Sequence, residues 1–136
     1  MRELTIDAKV ELLDQVLAFL DETLEALDCP MKAQMQLDVA VEELFVNIAS
    51  YAYAPGTGAA TLRIEEETDP LAVEITFIDS GTPYNPLMKP DPDVTLSAEE
   101  RQIGGLGIYM VKKSMDGMTY EYRDGQNILK IRKLLK

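Results

Sequence analysis

The chain has 136 residues and a formal net charge of −11 at pH 7, and its length suits one domain with one hydrophobic core. The negative charge repels phosphate backbones, so we expect no direct binding to nucleic acid. There is no histidine and one cysteine, Cys29, which excludes imidazole triads, histidine metal ligands, an intrachain disulfide and thiolate zinc clusters.

The sequence also predicts where the protein resides. A single cysteine fits a reducing cytoplasm. No apolar run reaches the roughly 20 residues that a membrane-spanning helix needs, and the segment from Met1 to Asp7 is too polar and too short for a signal peptide. We therefore expect a cytoplasmic protein without a membrane segment.

The first half of the chain predicts a short strand and two helices. Residues 2–6 suit a strand. From Ala8 to Asp28, leucine and valine recur every three or four residues, which indicates an amphipathic helix. A second helix is predicted from Met31 to Tyr53, and its apolar surface is so wide that we expect burial on more than one side.

The second half of the chain predicts a sheet. Residues 60–65 and 71–77 alternate between apolar and polar side chains, which indicates two strands with one buried face each. Residues 118–123 and 127–134 predict a hairpin around the turn Asp124–Gly125.

Between these strand pairs, the proline-rich residues 80–101 are interpreted as a lid. A third helix is predicted to follow Gly104–Gly107 and to end at Asp116–Gly117. The fold class is therefore α+β, a two-layer α/β sandwich with helices on one face of a mixed, mostly antiparallel sheet.

Glu43 and Asn47 lie four residues apart in the second helix, which places both on one helix face. An asparagine oxygen can bind Mg²⁺ alongside phosphates and water, and a carboxylate one turn earlier can accept a proton from an attacking hydroxyl group. The alternative is a solvated polar stripe, which is how we interpret Asp38 and Glu42. The apolar residues around Glu43 and Asn47 favour the functional interpretation, because a carboxylate or an amide is costly to bury without a partner.

Asp79 ends the second predicted strand and is followed by Ser80 and Gly81. A carboxylate at this position can accept a hydrogen bond from an exocyclic amine such as N6 of adenine, and a glycine lets the backbone approach the ring. The alternative is a simple turn, because Asp-x-Gly is common in turns.

Glycines also mark the start of the third helix, in the segment Gly104–Gly107. Such a loop lets backbone N–H groups face an anion, and the helix dipole adds attraction. A Walker P-loop would require a lysine after the glycines, and a dinucleotide fold would require alternating parallel βα units. Neither pattern is present, and a flexible hinge is the alternative.

Three segments, residues 38–47, 78–86 and 104–116, together resemble the GHKL superfamily of ATP-binding domains, which includes gyrase, histidine kinases, the heat-shock chaperone and mismatch-repair ATPases. Within it the chain resembles the bacterial anti-sigma-factor serine kinases. The resemblance covers almost the whole chain. It implies the Bergerat ATP-binding fold in a single histidine-kinase-like domain, residues 1–136.

The resemblance also implies ATP and Mg²⁺ as cofactors and a role for each motif. Glu43 matches the general base and Asn47 the Mg²⁺ ligand. Asp79 matches the acceptor for adenine N6, with Gly81 beside it. The remaining implied nucleotide-binding residues form the loop at the phosphates: Gly104, Gly105, Leu106 and Gly107.

The implied substrate is a serine on a small anti-sigma antagonist protein, with a sigma factor as second partner. Relatives often form homodimers, so a homodimer stays open. The predicted last strand, residues 127–134, lacks the threonine that often supports the adenine-binding aspartate in relatives. This departure motivates a second hypothesis, a non-catalytic, nucleotide-gated module that sequesters a sigma factor or another regulator. A scaffold that binds no nucleotide is a third.

Overall fold

The computed structural model describes residues 1–88 and 105–135. The helices are α1 (Leu13–Ala26), α2 (Met31–Asn47) and α3 (Gly105–Ser114). The strands are β1 (Arg2–Asp7), β2 (Ala59–Glu67), β3 (Ala72–Asp79), β4 (Gly117–Arg123) and β5 (Gln126–Leu134). Every element predicted from the sequence is present. Gly104 and the part of the predicted lid from Lys89 to Arg101 lie outside the described residues.

The sheet has the strand order β1-β2-β3-β5-β4, and all of its described pairings are antiparallel. The α+β class is confirmed, but the expectation of a mixed sheet is wrong. Strands β3 and β4 do run in the same direction, since each is antiparallel to β5. They do not pair, because the β4–β5 hairpin places β5 between them.

One face of the sheet and the three helices enclose the core. The sheet buries Leu62, Ile75 and Phe77, and its alternating pattern follows from the two-residue period of a strand. Helix α2 contacts both α1 and α3 and buries Leu37 and Phe45. No helix in the described part of the chain is long and apolar enough to cross a membrane.

Two aspartates meet where α1 packs against α2. Asp38 lies beside Asp21, and its Oδ1 atom is buried without a hydrogen-bond partner among the described residues. Gln34 Nε2 donates to Asp21 Oδ1 over 3.2 Å. Burial, the hydrogen bond to Asp21 and repulsion from Asp21 and Glu42 raise the pKa of Asp38 to about 7. Asp38 is therefore not the solvated charge that its sequence context indicated.

The replacement Asp38→Asn is expected to change how stability depends on pH. The pKa of Asp38 is about 7 in the folded protein and near 3.8 without the fold, so the free energy of unfolding of the parent falls as pH rises between these values. The neutral variant should match the parent at pH 4 and be more stable by about 1 kcal/mol at pH 8, allowing for solvent screening at this half-buried site. Urea titrations across this range measure the difference.

The exposed carboxylate Glu22 on α1 offers a control through Glu22→Gln. This variant should keep the pH dependence of the parent. An Asp38→Asn variant whose stability differs from the parent by the same amount at pH 4 and pH 8 would contradict the assignment.

Candidate functional site

A cavity of about 510 Å³ opens between the end of α2, the end of β3 and the β4–β5 hairpin. Most of its lining is apolar. The aliphatic and aromatic residues include Leu44, Ile48, Phe77, Tyr84 and Leu129, and the amide and carboxylate side chains are Asn47, Asp79 and Asn127. Such a cavity suits a flat, mostly apolar ring system that offers a few polar atoms.

Asp79 and Asn127 form the polar floor of this cavity. They stand opposite each other in the register of β3 and β5, and each is 6% exposed. Asp79 Oδ1 accepts hydrogen bonds from the backbone N–H of Gly81 and from Asn127 Nδ2, both over 2.9 Å. No described residue donates to Oδ2, which leaves one carboxylate oxygen as an acceptor for a bound molecule.

Asn127 is the central residue of a hydrogen-bond network that the sequence did not reveal. Its Nδ2 atom also donates to the carbonyl of Thr82 over 3.0 Å. Its Oδ1 atom accepts from the backbone N–H of Tyr84 over 3.1 Å and from the hydroxyl group of Tyr120. One buried side chain thereby fixes both the carboxylate of Asp79 and the segment that follows it. In the sequence, the only indication of this network was that the last strand lacks the threonine that often supports the aspartate in relatives.

The end of the second helix supports the same segment. Residues Ile48–Ala52 continue α2 as a π-helical turn, a form that is common at functional sites. The backbone N–H of Thr82 donates to the carbonyl of Ala52 over 2.8 Å. The hydroxyl group of Tyr53 donates to the carbonyl of Ala59 over 2.6 Å and accepts from the N–H of Ser80 over 2.7 Å.

Gly81 has a clear steric reason to be glycine. A Cβ atom at this position would lie 2.6 Å from Cβ of Ala52 and would overlap the Ala52 carbonyl group. Contacts at this distance do not occur between real side chains, so a larger residue would push the segment away from α2. The sequence predicted that this glycine permits a close approach to a ring, whereas the observed close approach is to the helix end.

Glu43 is not one of the lining residues of the cavity; it lies against the first turn of α3. A Cβ atom on Gly107 would lie 2.6 Å from Oε2 of Glu43 and would overlap the rest of the carboxyl group. Glycine therefore allows the helix to approach the carboxylate. Burial raises the pKa of the Tyr84 phenol, and the nearby Glu43 and Tyr51 raise it further, which places these three side chains within electrostatic reach of each other.

Asn47 lies one turn after Glu43 and lines the cavity. Within the described part of the chain, its side-chain amide makes no hydrogen bond. The amide oxygen is consequently available to a ligand or a metal ion. No group of three or more acidic, cysteine or histidine side chains suited to a metal ion occurs among the described residues. A metal held here would need most of its ligands from a bound molecule or from water.

The residues predicted as a site thus converge, with one gap. Asn47 and Asp79 line the cavity, and Gly81 donates its backbone N–H to Asp79. Glu43 lies one helical turn before Asn47 and contacts the position of Gly107 on α3. Gly105 and Leu106 begin α3, and their backbones therefore belong to its first turn. Gly104 falls outside the described residues.

Known proteins share this sequence pattern and this fold. Residues 6–133 match the family described as the histidine kinase-like ATPase domain. The serine/threonine-protein kinase BtrW of Bordetella bronchiseptica is 31% identical over 101 residues, which cover 72% of this chain and 68% of BtrW.

Two solved structures superpose on the chain. The RsbU and RsbW domains of Rv1364c from Mycobacterium tuberculosis give a TM-score of 0.66 at 17% identity, and the match covers 99% of this chain but 33% of the longer one. The SiaB–SiaC complex from Pseudomonas aeruginosa gives a TM-score of 0.60 at 18% identity, with 96% and 89% covered. At these identities, the superpositions show a common fold.

The resemblance drawn from the three motifs is therefore confirmed. The family match covers nearly the whole chain, and the curated relative exceeds 30% identity over most of its own length. This chain belongs to the histidine kinase-like ATPase domain family.

Proposed function

We propose that residues 1–136 form one ATP-binding domain that phosphorylates a serine on a small anti-sigma antagonist protein, with Mg²⁺–ATP as phosphate donor. The observation that carries the proposal is the convergence of Glu43, Asn47 and the first turn of α3 beside the cavity that Asp79 closes. A base, a metal ligand, a helix N-terminus and a ring-binding floor are the parts that phosphoryl transfer from ATP requires.

Adenine is the ring that the floor of the cavity suits. Asp79 Oδ2 is an acceptor, and the exocyclic N6 of adenine is a donor. Guanine carries an oxygen at the equivalent position, so its carbonyl would face the carboxylate and be repelled. Apolar walls such as Phe77 and Leu129 would cover the ring faces.

Asn47 is the proposed Mg²⁺ ligand. A hard cation accepts a neutral amide oxygen and commonly completes its shell with phosphate oxygens and water, which agrees with a site that has one protein ligand. When bound, Mg²⁺ would neutralise charge on the phosphates. The triphosphate would also face the backbone N–H groups of Gly105, Leu106 and Gly107 in the first turn of α3, where the helix dipole favours anions.

Glu43 is the proposed general base. It is half-buried, lies one helical turn before Asn47 and contacts the first turn of α3, where the phosphates are proposed to bind. The carboxylate would accept the proton of the substrate serine hydroxyl as the serine oxygen bonds to the γ-phosphorus, while the bond from the γ-phosphorus to the bridging oxygen breaks and ADP leaves. The absence of a Cβ atom on Gly107 keeps this carboxylate against the helix that would bind the phosphates.

A protein substrate is supported by the nature of the relatives. BtrW is named as a serine/threonine-protein kinase. One matching structure contains the RsbU and RsbW domains, and another is the SiaB–SiaC complex. We propose that this chain likewise acts within a protein complex, with an antagonist as substrate and a sigma factor as the regulated partner.

The replacement Glu43→Gln should abolish phosphate transfer without abolishing ATP binding. Loss of a general base costs about 10²–10⁴ in rate, whereas the amide keeps the size of the side chain. Transfer from radiolabelled ATP to the cognate antagonist measures the rate, and calorimetry measures ATP affinity. Affinity should stay within about threefold of the parent.

Glu42→Gln is the matched control, because Glu42 is the exposed neighbour on the same helix. It should transfer phosphate at the parental rate. Undiminished transfer by Glu43→Gln would remove the base assignment. Tight ATP binding by the parent without transfer to any antagonist would favour the non-catalytic, nucleotide-gated module instead.

The replacement Asp79→Asn should weaken ATP binding by at least about tenfold and reduce the preference for ATP over GTP. Loss of one charged hydrogen-bond partner typically costs about 1.5–3 kcal/mol. Competition of ATP and GTP for a fluorescent ATP analogue measures both effects. An unchanged preference would show that another group reads the base.

The replacement Asn127→Asp should make ATP affinity depend on pH. It places two carboxylates where the amide now bonds Asp79 Oδ1 over 2.9 Å. Like charges raise the pKa of such a pair, so at low pH a shared proton replaces the N–H donor, and at high pH repulsion opens the floor. Affinity of the variant for ATP should fall more steeply with rising pH than that of the parent. A parallel response of both proteins would contradict the role of Asn127.

A further inference from the structure

The outer face of α2 exposes a line of apolar side chains. Met31, Met35 and Val39 are 74%, 61% and 58% exposed, and their spacing of four residues aligns them on one side of the helix. The opposite side of α2 is buried in the core through residues such as Leu37 and Val41. Isolated apolar side chains are normal on a surface, but three in a row form a continuous strip. We call Met31, Met35 and Val39 the α2 strip.

The α2 strip lies in a strongly acidic layer. Between Val10 and Ala52 the chain carries nine carboxylates and a single cationic side chain, Lys32. The carboxylates on exposed positions of the two helices include Asp14, Glu22, Glu25 and Glu42. Glu42 stands three residues after Val39, at the end of the strip. An apolar line on an acidic pair of packed helices is the complement of an apolar line flanked by basic side chains.

The negative charge of this layer indicates which kind of binding partner the α2 strip can accept. A second copy related by a two-fold axis would bring two acidic surfaces together, which is repulsive. Nucleic acids and anionic membranes are repelled for the same reason. A basic amphipathic helix complements both the apolar strip and the acidic charge. Its apolar face would cover the α2 strip, and its lysine or arginine side chains would pair with the carboxylates.

We propose that the outer face of α2 docks a basic amphipathic helix of a partner protein. Met31 and Met35 suit this task, because methionine side chains adapt to the shape of an incoming apolar face. The surface is distinct from the proposed nucleotide cavity, which is lined by Leu44 and Asn47 at the other end of α2. The proposal therefore does not depend on the kinase activity.

A synthetic peptide tests the surface without knowledge of the natural partner. The probe is a fluorescein-labelled helix of roughly 18 residues with leucine at heptad positions a and d and lysine elsewhere. Fluorescence anisotropy should show saturable binding to the full chain. A peptide of the same composition with dispersed leucines should bind at least about tenfold more weakly, because it has no apolar face.

The double replacement Met35→Ser and Val39→Ser should weaken binding of the probe by at least about tenfold. Val10→Ser is the matched control, because Val10 is also exposed, at 48%, but lies outside the α2 strip. Glu22→Gln with Glu42→Gln should weaken binding and reduce its salt dependence. All these variants should keep the melting temperature and the ATP affinity of the parent. A loss of peptide binding can then be distinguished from a loss of folding.

Three results would overturn the proposal. Equal binding of the amphipathic and dispersed peptides would show charge attraction alone. Probe binding that survives the double replacement would place the contact elsewhere. Self-association of the parent in sedimentation experiments that the double replacement abolishes would assign the α2 strip to a second copy.

Discussion

The pairing of β3 with β5 is the constraint on which the rest of the site depends. It sets Asp79 opposite Asn127, and the hydrogen bond between the two side chains is buried at the ends of both strands. A shift of one residue in register would turn each side chain to the other face of the sheet. A single register must therefore both form this hydrogen bond and bury the apolar side chains. The observed register does both, and the result is a polar floor under an apolar cavity.

From that floor, a chain of contacts extends to the helices. Asn127 holds the segment after β3, and this segment bonds the end of α2 through Thr82 and Ala52. Gly81 keeps the two close because it has no side chain to separate them. The geometry of the cavity is therefore set by backbone contacts as much as by the side chains that line it.

Helix α2 contributes to three parts of the molecule. One side completes the core, its C-terminal part lines the cavity, and its outer side presents the α2 strip in an acidic layer. Where α1 meets α2, burial first and then the neighbouring Asp21 and Glu42 raise the pKa of Asp38, so its charged form is disfavoured in the folded protein.

The sequence by itself determined the elements and the motifs, because both depend on local spacing. Helical and strand periodicities located α1, α2 and the sheet strands, and the spacing of Glu43 and Asn47 put them on one helix face. Only the tertiary structure decided which groups meet. Asn127 is 48 residues from Asp79, Asp38 depends on a neighbour in another helix, and β5 separates β3 from β4. Such contacts join residues that are distant in the chain, and no local pattern encodes them.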